Sequence, residues 1–186
     1  MDDPKIILTT DRLTLREITV DDIDRLYEIY AAPGITDFIE PLYEDRDEEI
    51  VYTKDYIKYQ YGFYGYGLWI VVENDTGRIV GRAGLTNRAG YLEAELAYVI
   101  EKERQGRGYA TEALKAILSY ARDELYLESL NCFVIPGNDI SIRLCEKLGF
   151  EYLEDVMIGN DLMHRYHITF GGEHEGEDTG IQEEDR

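Results

Sequence analysis

The chain is poor in cysteine, histidine, positive charge and long apolar runs, and each shortage excludes something. Of its 186 residues two are cysteines, Cys132 and Cys145, with no metal-ligand spacing between them. So few cysteines in a chain of this length predict a reduced, cytoplasmic protein. The three histidines form no metal set: His164 and His167 have odd spacing on a predicted strand, which turns them to opposite faces, and His174 lies far along the chain. No metal is expected. No run approaches the roughly 18 apolar residues of a membrane span, and MDDPKIILTTDRL has no basic region followed by an apolar stretch, so neither membrane nor secretory signal is expected. Lys and Arg number 19 against 39 acids, a formal net charge of −20. That balance argues against direct binding of a nucleic-acid backbone. A well-solvated surface accounts for it first, and it suits a cationic substrate only weakly.

What is present is a globular composition, 44% hydrophobic, of a length that fits one domain with a real core. Residues 171–186, GGEHEGEDTGIQEEDR, hold seven acids, one arginine and one aliphatic residue, and read as a disordered acidic tail. Residues 1–170 read as the single folded domain. Neither an internal repeat nor a linker interrupts them.

TDRLTLREI, 10–18, alternates as a strand; TVDDIDRLYEIYAA is an amphipathic helix capped by Thr19 and stopped by Pro33-Gly34. A second helix is predicted over 44–60, with Tyr52, Tyr56 and Tyr59 at core spacing. The glycines of YGFYGYG, 61–67, are expected to forbid helix. LWIVVEN and RIVGRAGL form a hairpin, and EAELAYVI, 93–100, is a further strand. A helix over about 107–123 carries Ala110, Ala113, Leu114, Ile117, Leu118 and Ala121 as its apolar stripe. SLNCFVI, 129–135, is a strand; a short helix runs from Pro136-Gly137-Asn138 to Leu148-Gly149, and two strands turn about 159–161. The order predicts an α/β (α+β) fold with a mixed sheet.

ERQGRGYATEAL, 103–114, opens the long helix with Arg104 and Arg107 where the helix dipole disfavours cations. Glycines at 106 and 108 bare the backbone N–H groups there. Arginines, glycines and dipole together describe an anion site, most simply for phosphate or pyrophosphate. The dinucleotide fingerprint fails, since Thr111 stands at its third glycine, and the Walker loop fails, since Tyr109-Ala110 follows Gly108. What fits is Q-x-x-G-x-A, carried by Gln105, Gly108 and Ala110. About thirty residues on comes NDISIRLCEKLGF, 138–150.

The two motifs, in this order, resemble the GNAT superfamily of N-acetyltransferases. There, Q/R-x-x-G-x-G/A opens a helix and N-x-x-S/A-x-x-x-Y-x-K-x-G-F follows the next strand, matched here by Asn138, Ser141, Lys147, Gly149 and Phe150. DRLTLREI and AELAYVI look like the branch of ribosomal-protein N-terminal acetyltransferases, over residues 9–169. The resemblance implies a mixed, mostly antiparallel sheet of about seven strands with about four helices and splayed central strands. It implies acetyl-CoA as co-substrate, its pyrophosphate on Gln105, Gly106, Arg107, Gly108, Tyr109, Ala110 and Thr111. Its pantetheine would lie along Ala97, Tyr98, Val99 and Ile100, with Asn138 and Ser141 contacting it.

The implied reaction is direct acetyl transfer to a primary amine, of a small molecule or a protein N-terminus, by a monomer or homodimer. The alternative is a non-catalytic acyl-CoA-binding or regulatory module. It is motivated by Cys145, which stands where the superfamily often has the tyrosine that protonates the departing thiolate. Glu95 is the expected base, with Glu93, on the same side of the strand, as the other candidate. Ser141 is expected to help near the sulfur. Cys145 reads either as the proton donor or as a small packed residue. Tyr61, Tyr64 and Tyr66, with the loop PGITDFIEPLYE and its Asp37, Glu40 and Glu44, are candidates for an acceptor wall that attracts a cationic amine.

Overall fold

The structure is a computed structural model that describes residues 3–171. The predicted acidic tail, beyond Gly171, lies outside the described residues. The elements are β1 (Ile6–Thr9), β2 (Leu13–Arg16), α1 (Ile23–Tyr30), α2 (Arg46–Asp55), β3 (Leu68–Glu73), β4 (Ile79–Thr86), β5 (Glu95–Ile100), α3 (Tyr109–Asp123), β6 (Ser129–Val134), α4 (Asp139–Lys147), β7 (Glu151–Ile158) and β8 (Asp161–Thr169). They build one sheet in the order β1-β2-β3-β4-β5-β6-β8-β7. Every pairing is antiparallel except β5 with β6.

The sheet thus has eight strands where about seven were expected. The extra one is IILT, whose unbroken apolar run carries no alternation; the predicted strand 10–18 divides into a turn and β2, with β1 folded back on it. α2 departs further from expectation. It continues as a π-helical stretch, Tyr56–Tyr64, straight through Gly62, and ends at Gly65 with φ of 75°. Tertiary contacts override the low propensity of glycine here. The wide turn brings Tyr61 into the core, where its hydroxyl accepts from the Ile18 amide at 3.2 Å and donates to the Leu68 carbonyl at 2.6 Å. The inward face of α2 is polar, with buried Glu49 and Thr53, while Tyr52 and Tyr59 are exposed. Apolar periodicity could not reveal that face.

Strand alternation sorts the two faces of the sheet. Trp69, paired with Ala83, meets Tyr120 of α3 edge-on at 5.6 Å. Next to them, Arg82 turns the other way and meets Tyr30 of α1. One core lies under α3, with Leu13, Leu15, Trp69, Leu85, Leu114 and Ile117 fully or almost fully buried. Burying six such side chains contributes on the order of 10 kcal/mol before conformational entropy is set against it.

β5 and β6 share one ladder pair, Glu95 with Asn131, next to a bond from the Asn131 amide to the Ala94 carbonyl at 2.9 Å. Beyond that point the two strands no longer pair with each other, although β5 stays paired with β4 and β6 with β8. The sheet therefore opens toward Ile100 and Val134, and the main-chain groups of β5 on that side have no strand partner.

Candidate active site

The sequence leaves the open end of β5 through a short 3-10 turn, Lys102–Arg104, and reaches α3 through Gln105–Gly108. Gly106 and Gly108 have φ of 72° and 82°, a region that favours glycine. A Cβ on Gly106 would meet nothing within 4 Å, so the outer side of the loop is open to a ligand. Gly108 caps α3 without a side chain. The helical ladder starts with the Glu112 amide on the Gly108 carbonyl, 3.0 Å, so the amides of Tyr109, Ala110 and Thr111 precede any intrahelical acceptor.

The loop is clamped from below. Gln105 Nε2 donates to the Ile100 carbonyl at 2.9 Å, and Arg12 Nη1 to the Arg107 carbonyl at 3.0 Å. Glu112 accepts from Thr10 Oγ1, the Arg12 amide and Arg12 Nε, which ties α3 to the β1–β2 turn. Arg104 is not at the anion site: its guanidinium reaches Glu73 at 3.2 Å. Arg107 is exposed and carries the loop's positive charge. The Tyr109 ring is buried, its hydroxyl donating to Glu73, so only its backbone faces a ligand. Glu73 accepts from Thr76, Tyr109 and Arg104, and these bonds pull its carboxyl down to about 2.

A cavity of about 890 Å³ runs through the gap between β5 and β6. Ala97, Tyr98, Val99, Asn138 and Ser141 line it, together with Glu95, Arg88, Asp37, Glu40, Arg82, Tyr52 and Tyr56. Ile100 is buried at the strand's end. Asn138 caps α4, its Oδ1 accepting from the Ser141 amide at 3.2 Å. That bond fixes Ser141, whose Oγ lies 3.0 Å from the Tyr98 hydroxyl. Burial pushes the Tyr98 phenol up to about 12, against the bond to Ser141.

Glu95 is 5% exposed. Arg88 grips it with two bonds, Nε to Oε2 at 2.7 Å and Nη2 to Oε1 at 2.9 Å. Burial raises its pKa above the ordinary carboxylate value; Arg88 opposes the shift and Glu40 adds to it. Glu93 is outside the cavity lining, and its Oε2 accepts from Asn131 at 3.4 Å. Cys145 is likewise outside the lining: it is buried with its Sγ 3.2 Å from Cys132 Sγ. The bond from the Cys145 thiol, and then burial, hold Cys132 well above the usual thiol range.

The expected acceptor wall is rearranged. Tyr61 is core, Tyr64 is exposed away from the lining, and Tyr66 donates to Asn87 Oδ1 at 2.8 Å. Tyr52 and Tyr56, expected in the core, line the cavity instead, and Asp37 and Glu40 line it without Glu44. Arg82, Arg88 and Asn87 were not anticipated. A charged residue inside the otherwise apolar strand RIVGRAGL was the one available signal for Arg82; nothing local links Arg88 to Glu95.

A bare helix start with two left-handed glycines, beside a gap in a parallel strand pair, suits a long ligand that ends in phosphates. Comparison with known proteins gives the family. Residues 12–151 match the family described as an acetyltransferase (GNAT) domain, and the chain belongs to that family. The [ribosomal protein uS5]-alanine N-acetyltransferase of Escherichia coli is 31% identical over 170 residues, covering 83% of this chain and 84% of its own. A solved acetyltransferase from Agrobacterium tumefaciens superposes with a TM-score of 0.75 at 24% identity, over 88% of this chain and 94% of its own. A spermidine N-acetyltransferase from Vibrio cholerae, solved with CoA and spermine, gives 0.70 at 22% identity, over 86% and 96%. Among the described residues no helix is long and apolar enough to cross a membrane.

Proposed function

We propose that the protein is an acetyl-CoA-dependent N-acetyltransferase that transfers the acetyl group directly to a primary amine. The observation that carries this reading is the cavity that joins the β5–β6 gap, on which Ser141 and Tyr98 sit, to a buried carboxylate, Glu95. Acetyl-CoA, when bound, supplies an already activated acyl group. The amides of Gly106 to Thr111 and the Arg107 guanidinium would hold its phosphates, and the unpaired main chain of Ala97 to Val99 its pantetheine arm.

The residues then have few tasks. Glu95 takes the amine proton, directly or through a water. Its raised pKa makes it a stronger base than an exposed glutamate, and Arg88 fixes its orientation while each oxygen keeps a second lone pair free. Ser141, hydrogen-bonded to Tyr98, holds a hydroxyl proton for the departing thiolate. The Tyr98 phenol, pushed up to about 12, is protonated at neutral pH, so the pair acts as a hydrogen-bond donor to the developing thiolate rather than as a strong acid. Cys145 needs no role in this scheme, since it faces Cys132. The alternative of a non-catalytic module rests on Cys145; a hydroxyl pair, Ser141 of α4 and Tyr98 of β5, supports the enzyme reading against it.

The melting temperature with excess acetyl-CoA, against ADP and NAD, tests the cofactor. At about 100 times Kd a ligand adds about 2.7 kcal/mol. Thiol release with an amine panel tests the transfer. A shift without thiol release on any amine would leave only the binding module.

A further inference from the structure

The cavity wall on the α1 side contains an arginine with no carboxylate. Nine described arginines form ion pairs: Arg12, Arg16, Arg25, Arg46, Arg78, Arg88, Arg104, Arg122 and Arg165. Arg107 and Arg143, which form none, are exposed to solvent. Arg82 is different. It is partly buried, lines the cavity, and has one hydrogen bond among the described residues, from Nε to the Tyr30 hydroxyl at 2.8 Å. Its guanidinium sits 5.2 Å from the Tyr30 ring centroid, and Tyr52 and Tyr56 complete an aromatic surround. Nη1 and Nη2 are unspent. In a chain with 39 acids and 19 bases, a carboxylate partner was easily available.

A second donor nearby is also unspent. Asn87 follows β4 directly and lines the same cavity; its Oδ1 accepts from Tyr66, but its buried Nδ2 has no partner. Leaving Asn87 Nδ2 buried without an acceptor is costly, and the Arg82 guanidinium opens onto the same cavity, so a ligand with acceptor oxygens would serve both. Strand register places Arg82 opposite Val99 and Thr86 opposite Glu95, all on one face of the sheet. The anion-seeking and proton-accepting groups therefore share the acceptor side of the cavity.

We propose, on the footing of the acetyltransferase reading, that Arg82 binds a carboxylate of the acceptor, so that the substrate is an amino acid or short peptide carrying both a free amine and a carboxylate. The planar fork with two free N–H groups matches a carboxylate bidentately. A phosphate is the poorer match: it carries more charge than one arginine neutralises, and Asp37 and Glu40 line the same cavity. A purely cationic polyamine would lay positive charge against the uncompensated guanidinium.

The test compares amines that differ only in that group: L-amino acids, ω-amino acids and dipeptides, each against its carboxamide. Binding is measured by calorimetry with CoA present, and turnover by thiol release, in the wild type, Arg82→Met and Arg82→Lys. The expected result is a preference for at least one carboxylate over its amide of about tenfold or more, abolished in Arg82→Met and partly restored in Arg82→Lys, with acetyl-CoA binding intact. Arg82-dependent binding without turnover would keep the anchor and overturn the acetyltransferase reading. Turnover with equal use of acid and amide, a preference that survives Arg82→Met, or no binding by any of the series would overturn the anchor.

Discussion

The two ends of the cavity are built by different means. The cofactor end is backbone: two left-handed glycines, the bare first turn of α3 and an unpaired length of β5, all within residues 95–111. The acceptor end is side chains: Asp37 and Glu40 from one loop, Tyr52 and Tyr56 from α2 and its continuation, Arg82 from β4, Arg88 and Glu95 from the next turn and strand. A site made of backbone must spell its geometry in consecutive residues. A site made of side chains needs only that the fold bring them together. The first kind can serve any acceptor; the second is free to differ with the acceptor, which is where specificity would reside.

The largest effect that would break this division is at Glu95. Glu95→Gln keeps the size and one acceptor for Arg88 but cannot take a proton. We expect kcat to fall by about 10²- to 10⁴-fold while acetyl-CoA affinity, measured by calorimetry, stays unchanged. In the wild type kcat/KM should rise with pH along a limb whose midpoint lies above the ordinary glutamate value of about 4.3, because burial raises this carboxyl. An unchanged kcat in the variant would remove Glu95 from the chemistry.

The same division explains what could be read in advance. Gln105, Gly108 and Ala110 with Asn138 and Ser141 carried the family, because they belong to consecutive motifs at two helix starts. The apolar stripe of α3 and the strands from β3 onward were legible by periodicity. The α2 region was not. Its buried face is Glu49 and Thr53, its tyrosines are divided among core, cavity and solvent, and its helix widens through a glycine because Tyr61 finds two backbone partners inside. The match of Glu95 to Arg88, and the lack of a match for Arg82, exist only after β4 and β5 pair.

A middle-sized effect isolates the cofactor end. Gly106→Asp sets a carboxylate on the open side of the loop, and acetyl-CoA affinity should fall about ten- to a hundredfold, as loss or repulsion of one charged contact of about 1.5–3 kcal/mol would give. Gly106→Ala carries the same backbone strain without the charge and is the control. Gly108→Asp should do less, because a Cβ there lies 3.5 Å from Arg12 Nη2, which would shield the new charge. Equal losses for Gly106→Ala and Gly106→Asp would mean strain, not phosphate binding, governs the loop.

The smallest effect sharpens the comparison by sign. Glu73, under the cofactor loop, is held at about 2, whereas Glu95 is raised. A depressed carboxyl adds stability above its unfolded pKa, and that stability disappears as pH falls from about 4.3 toward 2. A raised one does the reverse: the folded state holds its proton longer, so stability falls as pH rises past the unfolded value. Glu73→Gln should therefore melt a few degrees below the wild type at pH 7, with the gap narrowing on acidification. The gap between the wild type and Glu95→Gln should move in the wild type's favour over the same acidification. Scanning calorimetry from pH 7 to pH 3 reads both slopes. If they had the same sign, the two ends would share one electrostatic environment, and the division between a charge-paired cofactor cradle and a desolvated acceptor base would not hold.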